Sequence, residues 1–325
     1  MKRNRTGIVV WLLAVVAVLG LLSGCSDALG GIQGYSFADG LTPETAEGLG
    51  VYAILIIDPP VNGDSVIVTD ADGYFDMSGV PTGTYTLTPL YAPAEWAVEV
   101  RVDLLGSPLV TVPTPPVGLN LLDVHCQSAV VQLQDAEVRG ALSASIDRSA
   151  VATLMGQASA TSFFPEGLDI SGFLASLDEV PNADLAAGNA ATGAVTPFSL
   201  ELLFNDNDEL VPFRDYLDTA IGALNVITDV TVRTLPFADF LDERAAGNYE
   251  VSRFGWALDS NNLAQYLEIW RTGGWTRYAN SAFDAELDAA HAAIAAGNID
   301  GYETHLVAAH NILVGDLPSI PVYYL

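Results

Sequence analysis

At the Pro-rich stretch Val112-Pro113-Thr114-Pro115-Pro116 the hydrophobic pattern of the chain changes, and the change divides it into two differently built parts. Upstream, short β-rich runs are separated by Gly, Pro and Asp with no helical period. They lie at Val51 to Ile57, Ser65 to Thr69, Tyr74 to Met77, Thr84 to Leu90, Trp96 to Val102 and Leu109 to Val112. Strands at that spacing predict a small all-β sandwich over residues 31–123. Downstream, helical and strand patterns alternate. Asp135 caps a helix carrying Val138, Leu142 and Ile146 on one face, and Phe198, Leu200, Leu202 and Phe204 alternate as a half-buried strand does. Phe213, Leu217, Ile221 and Leu224 return to helical spacing, and Val230-Thr231-Val232 is a further short strand. Helices are expected at Phe237 to Arg244, Leu263 to Trp270, Phe283 to Ala295 and Asp300 to Leu313, with Gly247 and Gly297 at C-cap positions. A multidomain chain results: a sandwich, a linker at 124–129, and an α/β lobe over 130–325.

Charge narrows the possible partners. Forty acidic residues against 12 basic ones give a formal charge of -28, which repels phosphate and excludes a nucleic-acid partner. Hydrophobic residues make up 50% of the chain and charged ones only 16%, so there is ample material for a core. The apolar runs are short and interrupted except at the N-terminus, which excludes a polytopic membrane protein.

That exception reads as a secretory leader. Lys2, Arg3 and Arg5 precede an apolar stretch from Ile8 to Leu22, and Leu22-Ser23-Gly24-Cys25 follows at once. This arrangement resembles the lipobox of bacterial lipoproteins. It implies a signal peptide over 1–24, lipidation of Cys25 with chains such as palmitate, and a tether over 25–30. Each acyl CH₂ placed in a bilayer contributes about 0.8 kcal/mol, so several chains anchor the protein firmly. Ser26 leans toward the outer membrane, with Asp27 a complication. Cleavage would remove Lys2, which is the one lysine of the chain, with Arg3 and Arg5 and no acidic residue. With Cys25 acylated, Cys126 is left without an intramolecular disulfide partner and is expected to be a buried thiol.

Within the β-rich part, Val68-Thr69-Asp70-Ala71-Asp72-Gly73-Tyr74-Phe75 and Val80-Pro81-Thr82-Gly83-Thr84-Tyr85-Thr86-Leu87 resemble the carboxypeptidase regulatory-like, transthyretin-like domain. Asp72-Gly73 is expected to make a tight hairpin turn, and Gly83 the turn that delivers Tyr85 and Leu87 to the core. The resemblance implies no catalytic residue and a spacer role. Asp70, Asp72 and Asp76 invite a calcium reading, but the closing glutamate of an EF-hand loop counted from Asp70 falls on Pro81.

In the second part six phrases match one family in order. They are Asp135-Ala136-Glu137-Val138-Arg139-Gly140-Ala141-Leu142 with Ser145-Ile146-Asp147-Arg148; Ala160-Thr161-Ser162-Phe163-Phe164-Pro165; Phe198 to Phe204; Phe240-Leu241-Asp242-Glu243-Arg244 with Tyr249 to Asp259; Tyr278 to Asp284; and Leu317 to Tyr324. Together they resemble the second lobe of the oligopeptide- and dipeptide-binding proteins of ABC importers, a type II periplasmic-binding-protein fold. The resemblance implies that Asp259, in a Gly-Trp-x-x-Asp turn, meets the free α-amine of a peptide. Trp256 would then wall the pocket, Arg253 would hold the Asp259 loop or a ligand carboxylate, and Asn261 and Asn262 would add polar contacts. Pattern alone reads Asp259 as a solvated turn aspartate and Trp256 as a core aromatic.

The family closes two lobes on a ligand, whereas here a β-domain stands in the N-terminal place and the return to the first lobe is missing. The cleft is expected to have one wall, unless an importer permease or another chain supplies the second. Enzyme readings find no support. A Gly-x-Ser-x-Gly elbow, a P-loop, a dinucleotide fingerprint and a His-Glu-x-x-His helix are all missing, and no cofactor or metal is called for. His291, His305 and His310 sit on adjacent predicted helices, but the step of five from His305 to His310 turns them off one common face. The reading is a lipid-anchored, non-enzymatic, extracytoplasmic peptide-binding protein. Its alternative is a structural surface lipoprotein that presents a degenerate lobe for protein contacts.

Overall fold

The computed structural model describes residues 29–38, 52–103, 109–114, 117–258 and 260–325; the leader, Cys25 and Asp259 lie outside the described residues. Seven strands build the first part. β1 (Leu29–Ala38), β4 (Tyr74–Pro81) and β7 (Leu109–Thr114) form one sheet in the order β4-β1-β7. β2 (Ile54–Val61), β3 (Asp64–Val68), β5 (Gly83–Pro89) and β6 (Val98–Val102) form the other in the order β3-β2-β5-β6. Alternation explains the layering, since every second residue of a strand faces the same side. In β5, Tyr85 and Leu87 point inward and join Ile32, Leu55, Ile57, Val80, Val100 and Val112 between the sheets. Fully burying one such aliphatic or aromatic side chain contributes about 1.5–3 kcal/mol.

The turn at Asp72-Gly73 forms but is not a hairpin. Oδ1 of Asp70 accepts the Asp72 and Tyr74 N–H groups at 3.0 and 2.8 Å, and Gly73 takes the left-handed conformation at φ 74°. The two strands it joins nevertheless lie in different sheets, because β4 pairs with β1. Gly83 is likewise free of any left-handed requirement; that conformation falls on Gly79, at φ 71°.

The second part is built on one five-stranded sheet of β8 (Val117–Val124), β9 (Phe198–Asn205), β10 (Ile227–Leu235), β11 (Val251–Leu258) and β12 (Ser319–Tyr324). Its order is β10-β9-β11-β8-β12. β8 corrects the expected boundary. Residues 117–123 belong with the lobe, where β8 pairs antiparallel with both β11 and β12 and is buried at every position. A strand covered on both faces reads as an apolar run without alternation, so its pattern does not say which sheet it joins.

Eight helices are described: α1 (Ala136–Ala144), α2 (Arg148–Met155), α3 (Leu185–Ala191), α4 (Val211–Gly222), α5 (Phe237–Ala246), α6 (Leu263–Leu267), α7 (Ser281–Ala295) and α8 (Ile299–Asp316). Side chains of Asp135, Asp147, Asp184, Asn262, Asn280 and Asn298 cap six of them by accepting first-turn N–H groups. One face of the sheet packs Leu122 and Val124 against Val138, Leu142, Phe213 and Leu217. The other packs Leu119 and Leu121 against Phe163, Phe164, Trp270 and Phe283.

On that second face lies a buried ion pair. Asp123 accepts from Arg244 at 3.0 Å, the Tyr249 hydroxyl at 2.6 Å and the Ser319 hydroxyl at 3.1 Å. Burial pushes the Asp123 carboxyl up against the pull of those three donors. The Arg244 guanidinium lies 3.9 Å from the centre of the Phe254 ring.

The sandwich is more than a spacer. Ile54 and Leu90 are buried in the same cluster as Leu119, Phe163 and Trp270. The ring of Tyr91 meets Phe173 edge-on at 5.9 Å, its carbonyl accepts the Asp169 N–H at 2.7 Å, and its hydroxyl donates to Glu303 at 3.3 Å.

Candidate ligand-binding site

β10 and β11 both run parallel to β9, so Asn205, Leu235 and Leu258 end on one edge of the sheet. The antiparallel pairs Val117 with Leu258 and Leu119 with Tyr324 bring the start of β8 and the end of β12 to the same edge. From β9 the chain passes to β10 on one side and then to β11 on the other. Such a reversal leaves a crevice outside the carboxyl ends of the strands, where open α/β sheets bind ligands. Asp259 is the residue that follows β11.

Arg253 projects from β11 beside this edge. Its Nη1 donates to Oδ1 of Asn205 at 3.4 Å, and its Nε is buried without a partner. Burial lowers the guanidinium below the usual arginine range, and no carboxylate among the described residues pairs with it. Gly255 makes room for it, since a Cβ there would lie 3.2 Å from Arg253 Nη2. The arginine is thus a largely buried cation with no anion beside it among the described residues. Trp256 is half-buried on the opposite face. Its Nε1 donates to the Tyr266 carbonyl at 3.0 Å, and its ring stacks on Phe254 with centroids 6.2 Å apart.

Asn261 is committed elsewhere. It is fully buried, with Oδ1 accepting the Ile54 N–H at 3.0 Å and Nδ2 donating to the Ile54 and Leu90 carbonyls at 2.7 and 2.8 Å. Next to it, the Ser260 hydroxyl donates to the Tyr52 carbonyl at 2.6 Å. Ser260 and Asn261, which follow Asp259 in the chain, therefore fasten the sandwich instead of facing a ligand. Asn262 is also buried; its Oδ1 accepts from the Tyr302 hydroxyl at 3.0 Å and from the Gln265 N–H at 3.2 Å. Two residues that the sequence reading passed over belong to the edge, Asn205 and Asn120. Asn120 is fully buried in β8 with neither amide atom partnered. The signal was a lone polar residue early in the apolar run Val117-Gly118-Leu119-Asn120-Leu121-Leu122.

The three histidines of the predicted helices are engaged within the lobe. His291 meets Glu268 at 2.9 Å and His305 meets Glu286 at 2.7 Å, while His310 is buried among aromatic rings. Among the described residues no group of three His, Cys, Asp or Glu is placed to hold a metal ion. The Cys126 thiol is half-buried and burial pushes it up to about 11, which makes it a poor nucleophile. A separate cleft of about 470 Å³ is lined by Arg148, Thr161, Ser162, Asp178 and Glu179. Its buried cation, Arg148, is turned to Ser143, Asn182 and the Pro181 and Pro321 carbonyls.

A lobe of this topology, with a crevice at the carboxyl ends of a mixed sheet, is a layered α/β fold. No protein-family model matches the chain, and the proteins it is similar to are named for peptide binding. It is 22% identical over 270 residues to the periplasmic oligopeptide-binding protein OppA of Haemophilus influenzae, covering 76% of this chain and 47% of that one. It is 28% identical over 142 residues to the periplasmic murein peptide-binding protein MppA of Escherichia coli, covering 41% of this chain and 25% of that one. The chain thus spans less than half the length of either relative. The crystal structure of H. influenzae OppA in complex with the peptide RPPGFSPFR superposes with a TM-score of 0.55 at 20% identity, over 64% of this chain and 42% of that one. A crystal structure of a peptide-binding protein of a peptide ABC transporter superposes equally well, over 64% of this chain and 99% of that one. These likenesses establish the fold. The relatives are named for peptide binding and for the periplasm, and none of these names denotes an enzyme.

Proposed function

We propose that this protein is a non-enzymatic, extracytoplasmic peptide-binding protein, held on a bacterial membrane by lipid on Cys25, that takes peptides at the carboxyl edge of its lobe for ABC-type import. The observation that carries the reading is Arg253: a partly buried guanidinium without an acid partner among the described residues, on the strand that precedes Asp259 in the chain. A free peptide offers the complement, with a carboxylate for Arg253 and an ammonium for Asp259. Similarity to OppA and MppA supports the same ligand class. The two-lobed mechanism needs a second wall, so the implied partners are an importer permease and a chain that closes the cleft. The acidic balance of the chain favours ligands with a cationic end and disfavours polyanions.

Isothermal titration of the soluble mature chain with short peptides tests the reading. Wild type should release heat that Asp259→Ala abolishes; a chain that gives no peptide heat contradicts it. The anchor has its own test, in which labelled palmitate marks the wild type and not Cys25→Ala, with the modified protein fractionating with the outer membrane. A structural reading has one observation in its favour, the fastening of the sandwich by Ser260 and Asn261. On that reading the β-domain holds a degenerate lobe in place for protein contacts, and peptides give no heat.

A further inference from the structure

Asn120 is the most conspicuous unanswered group in the lobe. It sits in the central strand β8 with no exposed surface, and neither Oδ1 nor Nδ2 has a hydrogen-bond partner. A buried carboxamide left unpaired is destabilising, so an apolar residue of similar volume would make a more stable strand. Its place is that of the proposed ligand edge. Asn120 is opposite Gly255 on β11 and Tyr323 on β12. Cross-strand partners share a face, so Asn120, Gly255 and Tyr323 form one row, next to the row that pairs Arg253 with Leu122. The row is built low. At Gly118 a Cβ would lie 3.0 Å from Leu325 and 3.2 Å from Ala257, and at Gly255 it would meet the Arg253 guanidinium. The end of the long Arg253 side chain and the half-exposed side chain of Leu325 lie over this part of the sheet. The Nε of that same arginine is unpartnered as well.

We propose that Asn120 is a ligand-reading residue of this edge. Its carboxamide hydrogen-bonds in both directions to one internal residue of the bound peptide, with Nδ2 donating to that residue's carbonyl and Oδ1 accepting its N–H, as Asn261 does with Ile54, once Arg253 swings out to the ligand carboxylate. In an extended chain the N–H and C=O of one residue point the same way and match a carboxamide's acceptor and donor, so the contact is indifferent to the ligand's side chains. It adds to the Arg253 contact a requirement for an internal residue flanked by two peptide bonds, which a free amino acid lacks. The inference rests on the peptide-binding reading.

Calorimetric titration of wild type, Asn120→Leu and Asn120→Ala with trialanine and with free alanine tests it, alongside thermal unfolding. The expected result is that Asn120→Leu melts at or above the wild-type temperature yet binds trialanine at least about tenfold more weakly. Asn120→Ala should lose affinity to the same extent, which keeps the test valid if leucine does not fit. Trialanine affinity unchanged in either folded variant overturns the role of Asn120 while leaving peptide binding intact. A wild type that binds no trialanine removes the peptide reading, and this inference with it.

Discussion

His310 shows how much a single residue's meaning depends on the fold around it. From spacing it is one of three histidines on helix faces; in the structure it is fully buried, stacked on Phe164 with centroids 5.2 Å apart. Its Nε2 accepts the Phe163 N–H at 3.2 Å, so the neutral ring carries its proton on Nδ1, toward Asn311 Oδ1 at 3.1 Å. Burial lowers it from 6.5 to about 4, against the pull of Asn311 and Asp178. The unfolded chain then takes up a proton before the folded one does. The contribution of the neutral ring is therefore fully present above pH 6.5 and is lost as pH falls toward 4, a loss of about 3 kcal/mol. Thermal melts of wild type should drop across that window, and those of His310→Gln should be flatter there. Equal slopes for the two would contradict this account of His310. Residue-scale chemistry was legible where a type and its local context suffice, as in the Asp135 cap. It was not legible where partners come from another part of the chain. Asn261 illustrates this, because its partners Ile54 and Leu90 lie 207 and 171 residues away.

Elements followed the pattern closely wherever one face is wet. The strands expected at Thr84 to Leu90 and Phe198 to Phe204 and the helix at Phe213 to Leu224 overlap β5, β9 and α4. Elements failed the pattern where burial is two-sided or the partner is remote. For that reason the stretch of β8 up to residue 123 falls on the sandwich side of the expected boundary without being read as a strand, and β1, which begins at Leu29 in what reads as tether, was missed. The relation between the sandwich and the lobe was also hidden, since a buried asparagine reading backbone carbonyls leaves no periodic trace. That joint makes a prediction. Asn261→Ala strips a donor pair and an acceptor from buried main-chain groups at Ile54 and Leu90, at a cost of about 3 kcal/mol. Differential scanning calorimetry should show sandwich and lobe of the wild type melting in one transition and those of Asn261→Ala in two. A variant that melts as the wild type does would reduce the joint to incidental contact.

For the whole molecule, the six ordered phrases of the second part carried more than any composition argument, and the fold they imply matches that of the solved peptide-binding proteins. A free peptide is a dipole with a cation at one end and an anion at the other. The lobe offers an arginine without an acid partner on β11, and the next residues in the chain lead to an aspartate. If recognition depends on that aspartate, then the ammonium is indispensable and side chains are secondary. The decisive measurement is a calorimetric comparison of one short peptide with its N-acetylated form on the wild-type mature chain. The account predicts clear heat for the free amine and affinity at least about tenfold weaker for the acetylated form; equal affinity for the two, or heat from neither, would contradict it.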